Sequence, residues 1–293
     1  MSEQPQRPAT PDRDPTGPSI GLALGGGGAR GLAHILVLEA FDELGLRPSL
    51  IAGTSIGAIY GAAYACGLEA KEIRARSNEV LGRWTDIAKH VLVSSRRSMT
   101  DFWKLRPFTA ALVKPAALLE AIFPELQSLH FAQLRIPLEV VATDFHRHTP
   151  YIMHQGPLLP AVAGSIALPA LFRAVEHDGR VLLDGGMTNP IPFDLVQNKA
   201  DFTIACNVLG GPAEDPSNEL PTPLEIALSA SHIMQNAIIT EKLKASAPDL
   251  LLSPRVERYR LMQFHLIDEI LDSAAPVKDE LKRALEQRFS AAP

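Results

Sequence analysis

The chain has 293 residues, a formal net charge of −5 and two cysteines. That length is enough to bury a substantial core, and the charge supplies no bulk attraction to nucleic acid or to anionic lipid. Two isolated cysteines, Cys66 and Cys206, form neither a CxxC pair nor a disulfide framework, so zinc ribbons and stapled secreted folds are set aside and a reducing compartment is expected. Residues 1–18 are rich in proline and charge and lack the apolar centre of a secretory leader, which predicts a disordered tail followed by a single domain over 19–293. The longest apolar stretch further in, Phe108 to Phe123, is interrupted by Lys114, Pro115 and Glu120, too broken to span a bilayer. The expected location is the cytoplasm, with membrane contact limited to the periphery.

Ser19 to Leu24 is a short apolar run that stops at glycines, the pattern of a buried strand entering a loop. Past Arg30 the period changes: Leu32, Ile35, Leu36, Leu38, Phe41 and Leu44 lie on one helical stripe, and Gly45 stands where a helix C-cap belongs. Leu50 to Ala52 form a second brief strand, and the residues after Ser55 turn helical through Cys66. Alternation of strand and helix predicts a mainly parallel sheet with helices on its faces. Further strands are expected at Leu138–Thr143, Val181–Leu183, Phe202–Asn207 and near Leu250. A long helix is expected from Leu224 to Leu243, and a charged helix at the C-terminus. Residues 83–127, with Trp84, Trp103 and the Arg96-Arg97 pair, predict helices and loops outside the sheet, a cap that could equally touch a lipid interface or pack ordinarily.

Three short motifs carry chemistry. Gly53-Thr54-Ser55-Ile56-Gly57 places a serine between a strand and a helix, on the strained turn that exposes a nucleophilic hydroxyl while its glycines clear the neighbouring strands. The following helix points its N-terminus at the reacting centre, where negative charge develops. The run Gly25-Gly26-Gly27-Gly28-Ala29-Arg30-Gly31 offers backbone N–H groups, with Gly26, Gly27 and Gly28 as candidate oxyanion donors and Arg30 as an orienting or charge-neutralising residue. Asp184-Gly185-Gly186 puts a carboxylate at a strand end on a tight turn. A carboxylate near its ordinary pKa is a weak base for a hydroxyl; partial desolvation and a direct hydrogen bond would suit it to the task. The glycine run also resembles a dinucleotide fingerprint loosely. However, Ala52-Gly53-Thr54 ends the second strand without an acid for a ribose, and no Gly-Lys-Ser/Thr follows.

With these motifs the chain resembles the patatin-like phospholipases, and its N-terminal half resembles the bacterial branch related to neuropathy target esterase. Val141-Ala142-Thr143-Asp144 and Gly164-Ser165-Ile166-Ala167-Leu168-Pro169-Ala170-Leu171-Phe172 match as well, so the resemblance covers roughly Ser19 to Asn207. It implies a three-layer α/β/α sandwich with a mainly parallel central sheet, a Ser–Asp dyad of Ser55 and Asp184, an oxyanion hole at Gly26 to Gly28, and hydrolysis of lipid acyl esters without metal or cofactor. Supporting positions are Arg30, Gly31, Gly53, Gly57, Gly185 and Gly186. The sequence departs from the family after Asp144, where it reads Phe145-His146-Arg147-His148, and its C-terminal helices match no family element. Other readings remain beside this one. Asp144, His146, His148 and His154 could hold a metal if the Asp-x-His-x-His stretch were one strand. His177, His232 or His265 could complete a Ser–His–Asp triad. A binding or regulatory protein could reuse the scaffold with little turnover, although such a role needs neither the serine nor the aspartate.

Overall fold

The computed structural model describes residues 18–81, 113–211 and 223–289. Residues 1–17, expected to be a disordered tail, residues 82–112, most of the 83–127 stretch expected to form a cap and holding both tryptophans and the arginine pair, and residues 212–222 and 290–293 lie outside these described residues.

An eight-stranded mixed sheet organises the chain. Strands β1 (Ile20–Leu24), β2 (Leu50–Thr54), β3 (Leu138–Asp144), β7 (Phe202–Cys206) and β8 (Leu250–Leu252) run parallel in the spatial order β3-β2-β1-β7-β8. β1 and β2 are buried at every position, as strands covered on both faces must be, and so they read as unbroken apolar runs. Three antiparallel strands complete the β3 end: β4 (Thr149–Met153), β5 (Val175–His177) and β6 (Arg180–Asp184). β3 is shared along its length: Leu138 to Val141 pair with β2, and Ala142 to Asp144 with β6. This switch of partner brings the end of β6 beside the C-terminal end of β2.

Alternation along the strands sorts the core into two faces. Leu22 and Leu24 join the larger cluster, built with α1 (His34–Glu43), α2 (Ile56–Ala65), α5 (Leu158–Ser165), α8 (Ile267–Ala274) and α9 (Pro276–Phe289). Helix α3, residues 70–81, and α4 (Pro115–Ile122) extend that layer. Ala23, Ala52 and Ala205 lie side by side in register on the other face. Their small side chains leave a shallow floor on which Phe193 and Val196 of α6 (Phe193–Val196) and Ile239 of α7 (Pro223–Ala245) pack. The result is the expected α/β/α sandwich. Gly45 caps α1 as its sequence position predicts. It adopts φ +65°, and the amides of Gly45 and Leu46 donate back to the carbonyls of Asp42 and Phe41 at 3.1 and 3.0 Å.

Candidate active site

Ser55 sits between β2 and α2 with φ 54° and ψ −123°, a backbone conformation that L-residues rarely adopt. Its surroundings hold it there. The backbone N–H of Ser55 donates to Ser165 Oγ at 2.8 Å, and that hydroxyl donates in turn to the Val141 carbonyl at 2.5 Å. The Ser55 carbonyl accepts from Ala58 and Ile59 in the first turn of α2. Gly57 lets that helix approach the sheet, since a Cβ there would stand 2.1 Å from the Leu24 carbonyl oxygen. Gly53 is closed off in the same way by Ala58, and Gly31 by Ile56.

Asp184 ends β6 and is almost fully buried. Its Oδ2 accepts from Ser55 Oγ at 2.6 Å, and its Oδ1 accepts from the Gly186 N–H at 2.8 Å. Its main chain is fixed too: the carbonyl accepts from Thr143 Oγ1, and the N–H donates to Ala167. Gly185 fits against Val141, and Gly186 against Gln235. Burial pushes the Asp184 carboxyl up to about 6, against the opposing pull of the Ser55 hydroxyl and the Gly186 amide. A buried carboxylate near neutrality, bonded directly to a serine on a strained elbow, is chemically suited to taking up that serine's proton.

The glycine run packs against the same serine; a Cβ on Gly26 would come within 3.4 Å of the Ser55 Cβ. Its amides are not equivalent. Gly25 donates to Cys206 O at 3.1 Å, Gly26 to Pro190 O at 2.9 Å, and Ala29 to Leu261 O at 2.8 Å. Among the described residues no acceptor is bonded to the N–H of Gly27 or Gly28. Of the three expected donors, the Gly26 N–H is thus bonded to the loop after β6. Gly28 has φ +57°, and a Cβ there would collide with Leu261 at 2.5 Å. Arg30 does not enter the cleft. Its buried Nε donates to Tyr259 O at 2.6 Å and its Nη1 to Leu209 O, so it ties the glycine loop to two distant segments.

Gly26, Gly27, Gly28, Ser55 and Asp184 line one cleft, which encloses about 910 Å³ of empty space including its mouth. One wall is apolar, with Ile59 of α2, Leu81 of α3, Leu118 and Ile122 of α4, and Leu171 and Phe172. Leu261, Met262 and Phe264 also line the cleft, and Ser231, His232 and Gln235 of α7 add polar groups. No sequence signal pointed to Ser165, to residues 261–264 or to the α7 residues as cleft components; Ser165 did lie inside a stretch quoted for family resemblance.

The histidine alternatives fare differently. His177 lies in β5 and His265 in a short 3-10 turn, and neither borders the cleft. His232 does border it, but its Nδ1 accepts from Arg30 Nη1 and its Nε2 donates to the Leu209 carbonyl, and burial together with the Arg30 charge lowers its pKa. None of the hydrogen bonds among the described residues joins a histidine to Ser55 or Asp184. The Asp-x-His-x-His stretch is not one strand: β3 ends at Asp144, and His146 and His148 fall in the turn that follows. Asp144 is instead paired with Arg180 at 2.5 Å and Arg147 at 3.0 Å. Among the described residues no group of three metal-ligating side chains comes together.

Comparison with known proteins identifies the family. The model for patatin-like phospholipases matches residues 22–196, more than half of the chain. The chain belongs to the patatin-like phospholipase family. An NTE family protein of Mycobacterium tuberculosis is 33% identical over 207 residues, covering 69% of this chain and 53% of its own length. Human patatin-like phospholipase domain-containing protein 6 is 30% identical over 201 residues, 68% of this chain and 14% of that protein. The lysophospholipase NTE1 of Candida glabrata is 26% identical over 297 residues, 93% of this chain and 16% of that protein. The chain thus spans about half the length of its mycobacterial relatives and a small part of the eukaryotic ones. Among solved structures, VipD from Legionella pneumophila superposes with a TM-score of 0.47 at 14% identity, covering 92% of this chain and 67% of VipD. Among the described residues of this patatin-like chain, no helix is long and apolar enough to cross a membrane.

Proposed function

We propose that this patatin-like protein is a serine hydrolase that cleaves acyl esters of lipids, of the phospholipase A, lysophospholipase or carboxylesterase type. The observation that carries the reading is the 2.6 Å hydrogen bond from Ser55 Oγ to a buried Asp184 carboxylate in a cleft lined mostly by apolar side chains. Ser55 Oγ attacks the ester carbonyl carbon, and its proton passes to Asp184 Oδ2. The free N–H groups of Gly27 and Gly28 stabilise the oxyanion, each worth about 3 kcal/mol of barrier when preorganised. The tetrahedral intermediate collapses with cleavage of the ester C–O bond, and Asp184 returns the proton to the departing alcohol. Water then attacks the acyl-enzyme and gives its proton to Asp184. Collapse frees the carboxylic acid, and the proton goes back to Ser55 Oγ. Each step uses only this chain's own groups and water.

The acyl chain fits the wall formed by Ile59, Leu118 and Leu171, where its burial is favourable by roughly 0.8 kcal/mol per methylene. Residues 19–293 act as one catalytic domain on this reading, because α7 and residues 261–264 border the same cleft as Ser55. A lipid substrate places the reaction at a lipid surface on the cytoplasmic side, by peripheral contact.

The test is intact-mass labelling with a fluorophosphonate. Wild type should gain one adduct, Ser55→Ala none, and Asp184→Asn an adduct at a much lower rate. A folded wild type that stays unlabelled would leave a lipid-binding or regulatory scaffold as the better account.

A further inference from the structure

His34 opens α1 nine residues after Gly25 and is completely buried. Its Nε2 lies 2.8 Å from the Gly25 carbonyl oxygen. That oxygen can only accept, so Nε2 carries the proton. Nδ1, buried and without a partner, is then a bare acceptor, and the opposite tautomer would bury an unsatisfied N–H. Burial also pushes this imidazole down to about 4, so it stays neutral through the physiological range.

The bond matters because of where Gly25 lies. The Gly25–Gly26 peptide is clamped at both ends: its carbonyl by His34 and its N–H by Pro190 O at 2.9 Å. The next backbone clamp is Ala29 N–H on Leu261 O at 2.8 Å. Between these two fixed points stand only the peptides whose N–H groups, on Gly27 and Gly28, have no acceptor among the described residues. A loop of glycines has little intrinsic preference for one conformation, so its direction is set by its anchors. His34 is the side chain that anchors its upstream end.

We propose that His34 is a positioning residue for the oxyanion loop, its Nε2–H fixing the Gly25–Gly26 peptide so that the Gly27 and Gly28 amides face Ser55. This rests on the serine hydrolase reading above. His34 touches no reacting atom; it acts through the loop. Loss of its N–H lets the peptide plane rotate, and the amides then meet the developing oxyanion only part of the time. The effect falls on the transition state, where the oxyanion exists, and not on ground-state binding of the acyl chain.

The experiment compares His34→Gln, which keeps an N–H donor at about the same reach, with His34→Met, which has a similar length and no donor. For each folded variant three quantities are measured: the fluorophosphonate labelling rate, kcat and KM on a short-chain p-nitrophenyl ester, and the Kd of a non-hydrolysable ether analogue of that ester. His34→Met should lose roughly 10- to 100-fold in labelling rate and kcat, the scale of a weakened oxyanion donor. Its KM and ether affinity should stay within about twofold, because uniform binding is untouched. His34→Gln should recover most of the lost rate. The proposal is overturned by a His34→Met that labels as fast as wild type, by a loss that appears equally in ether binding, or by a Gln variant as slow as Met. If neither variant folds, nitrogen-15 NMR of the wild-type imidazole decides: a slowly exchanging Nε2–H supports it, and an Nδ1–H tautomer overturns it. A wild type that fails to label at all would take down the hydrolase reading itself, whereas normal wild-type labelling with an indifferent His34→Met removes only the role given to His34.

Discussion

Replacing Asp184 by Asn should make the protein more stable while removing its turnover. The carboxyl is almost fully buried and its pKa is raised from an ordinary 3.8 to about 6. A rise of this size corresponds to roughly 3 kcal/mol by which the fold disfavours the charged form, at about 1.4 kcal/mol per unit. The sign follows from linkage. Below about pH 4 the group is neutral in both folded and unfolded chains and no penalty exists. Between about 4 and 6 the unfolded chain gives up its proton while the folded chain keeps it, so stability falls as pH rises. Above 6 the folded chain carries the buried charge and the full penalty. Asparagine has nearly the same shape, can accept from the Gly186 N–H through its carbonyl, and can donate to Ser55 Oγ, so the two hydrogen bonds survive with one reversed. The variant should therefore melt about 3–6 °C above wild type at pH 8, taking roughly 2 °C per kcal/mol for a chain of this size. The advantage should shrink to nothing as pH approaches 4. Paired thermal melts by circular dichroism from pH 4.5 to 8 read this directly. A variant that melts below wild type at pH 8, or a gap that stays constant with pH, would show that Asp184 bears no such penalty and would remove the physical basis for treating it as the base.

Two other outcomes follow from the same geometry. The base must be ionised to accept the serine proton, so kcat/KM should fall about tenfold per pH unit below an apparent pKa near 6 and level off above it; a limb centred near 4 would contradict the desolvation of Asp184. Leu171→Trp fills part of the apolar wall from a half-buried position, so the ratio of kcat/KM for long-chain over short-chain p-nitrophenyl esters should drop roughly tenfold; an unchanged ratio would place the acyl chain elsewhere.

Legibility in the sequence followed how completely local chemistry determined each part. β1, β2, β3 and β7 were readable because strands buried on both faces must be apolar throughout, and Gly45 because only a left-handed residue closes α1 as it does. β4 and β5 were not. Thr149–Met153 and Val175–His177 are short and only partly buried, so neither carries a continuous apolar run, and the contacts of Arg180 with Asp144 and Tyr151 that tie β6 to β3 and β4 are between distant residues. Ser55, Asp184 and the glycine run announced themselves because a strained elbow and a glycine nest demand particular residues. Which glycine amide is free could not be read there, since the answer lies in carbonyls of Pro190 and Leu261, more than 160 residues further along the chain from Gly26 and Ala29. His34 hid inside an apolar stripe, although a histidine within Ala33–Leu38, on a buried helix face, already implied a bonded partner.

The same distinction divides the site itself. Ser55, Asp184 and the glycine loop all lie within the stretch 22–196 that the family model matches, and so do the apolar residues of α2, α4 and the 171–172 turn. The remaining lining, with Ser231, His232 and Gln235 on α7 and Leu261, Met262 and Phe264 beyond β8, lies outside it. Arg30 bridges the two parts: it stands in the glycine motif, yet its bonds run to Leu209 and Tyr259. On the proposed reading, bond cleavage and the wall that takes the acyl chain belong to the stretch 22–196, and the later residues add a second set of contacts to the substrate. Substitutions at Gln235 or Met262 should therefore redistribute activity among esters, whereas substitutions at Ser55 or Asp184 should remove it from all of them. Arg30→Lys, which keeps the charge but loses the forked geometry, should loosen that later lining without touching the nucleophile, seen as faster amide exchange at 256–264 and an unaltered labelling stoichiometry at Ser55.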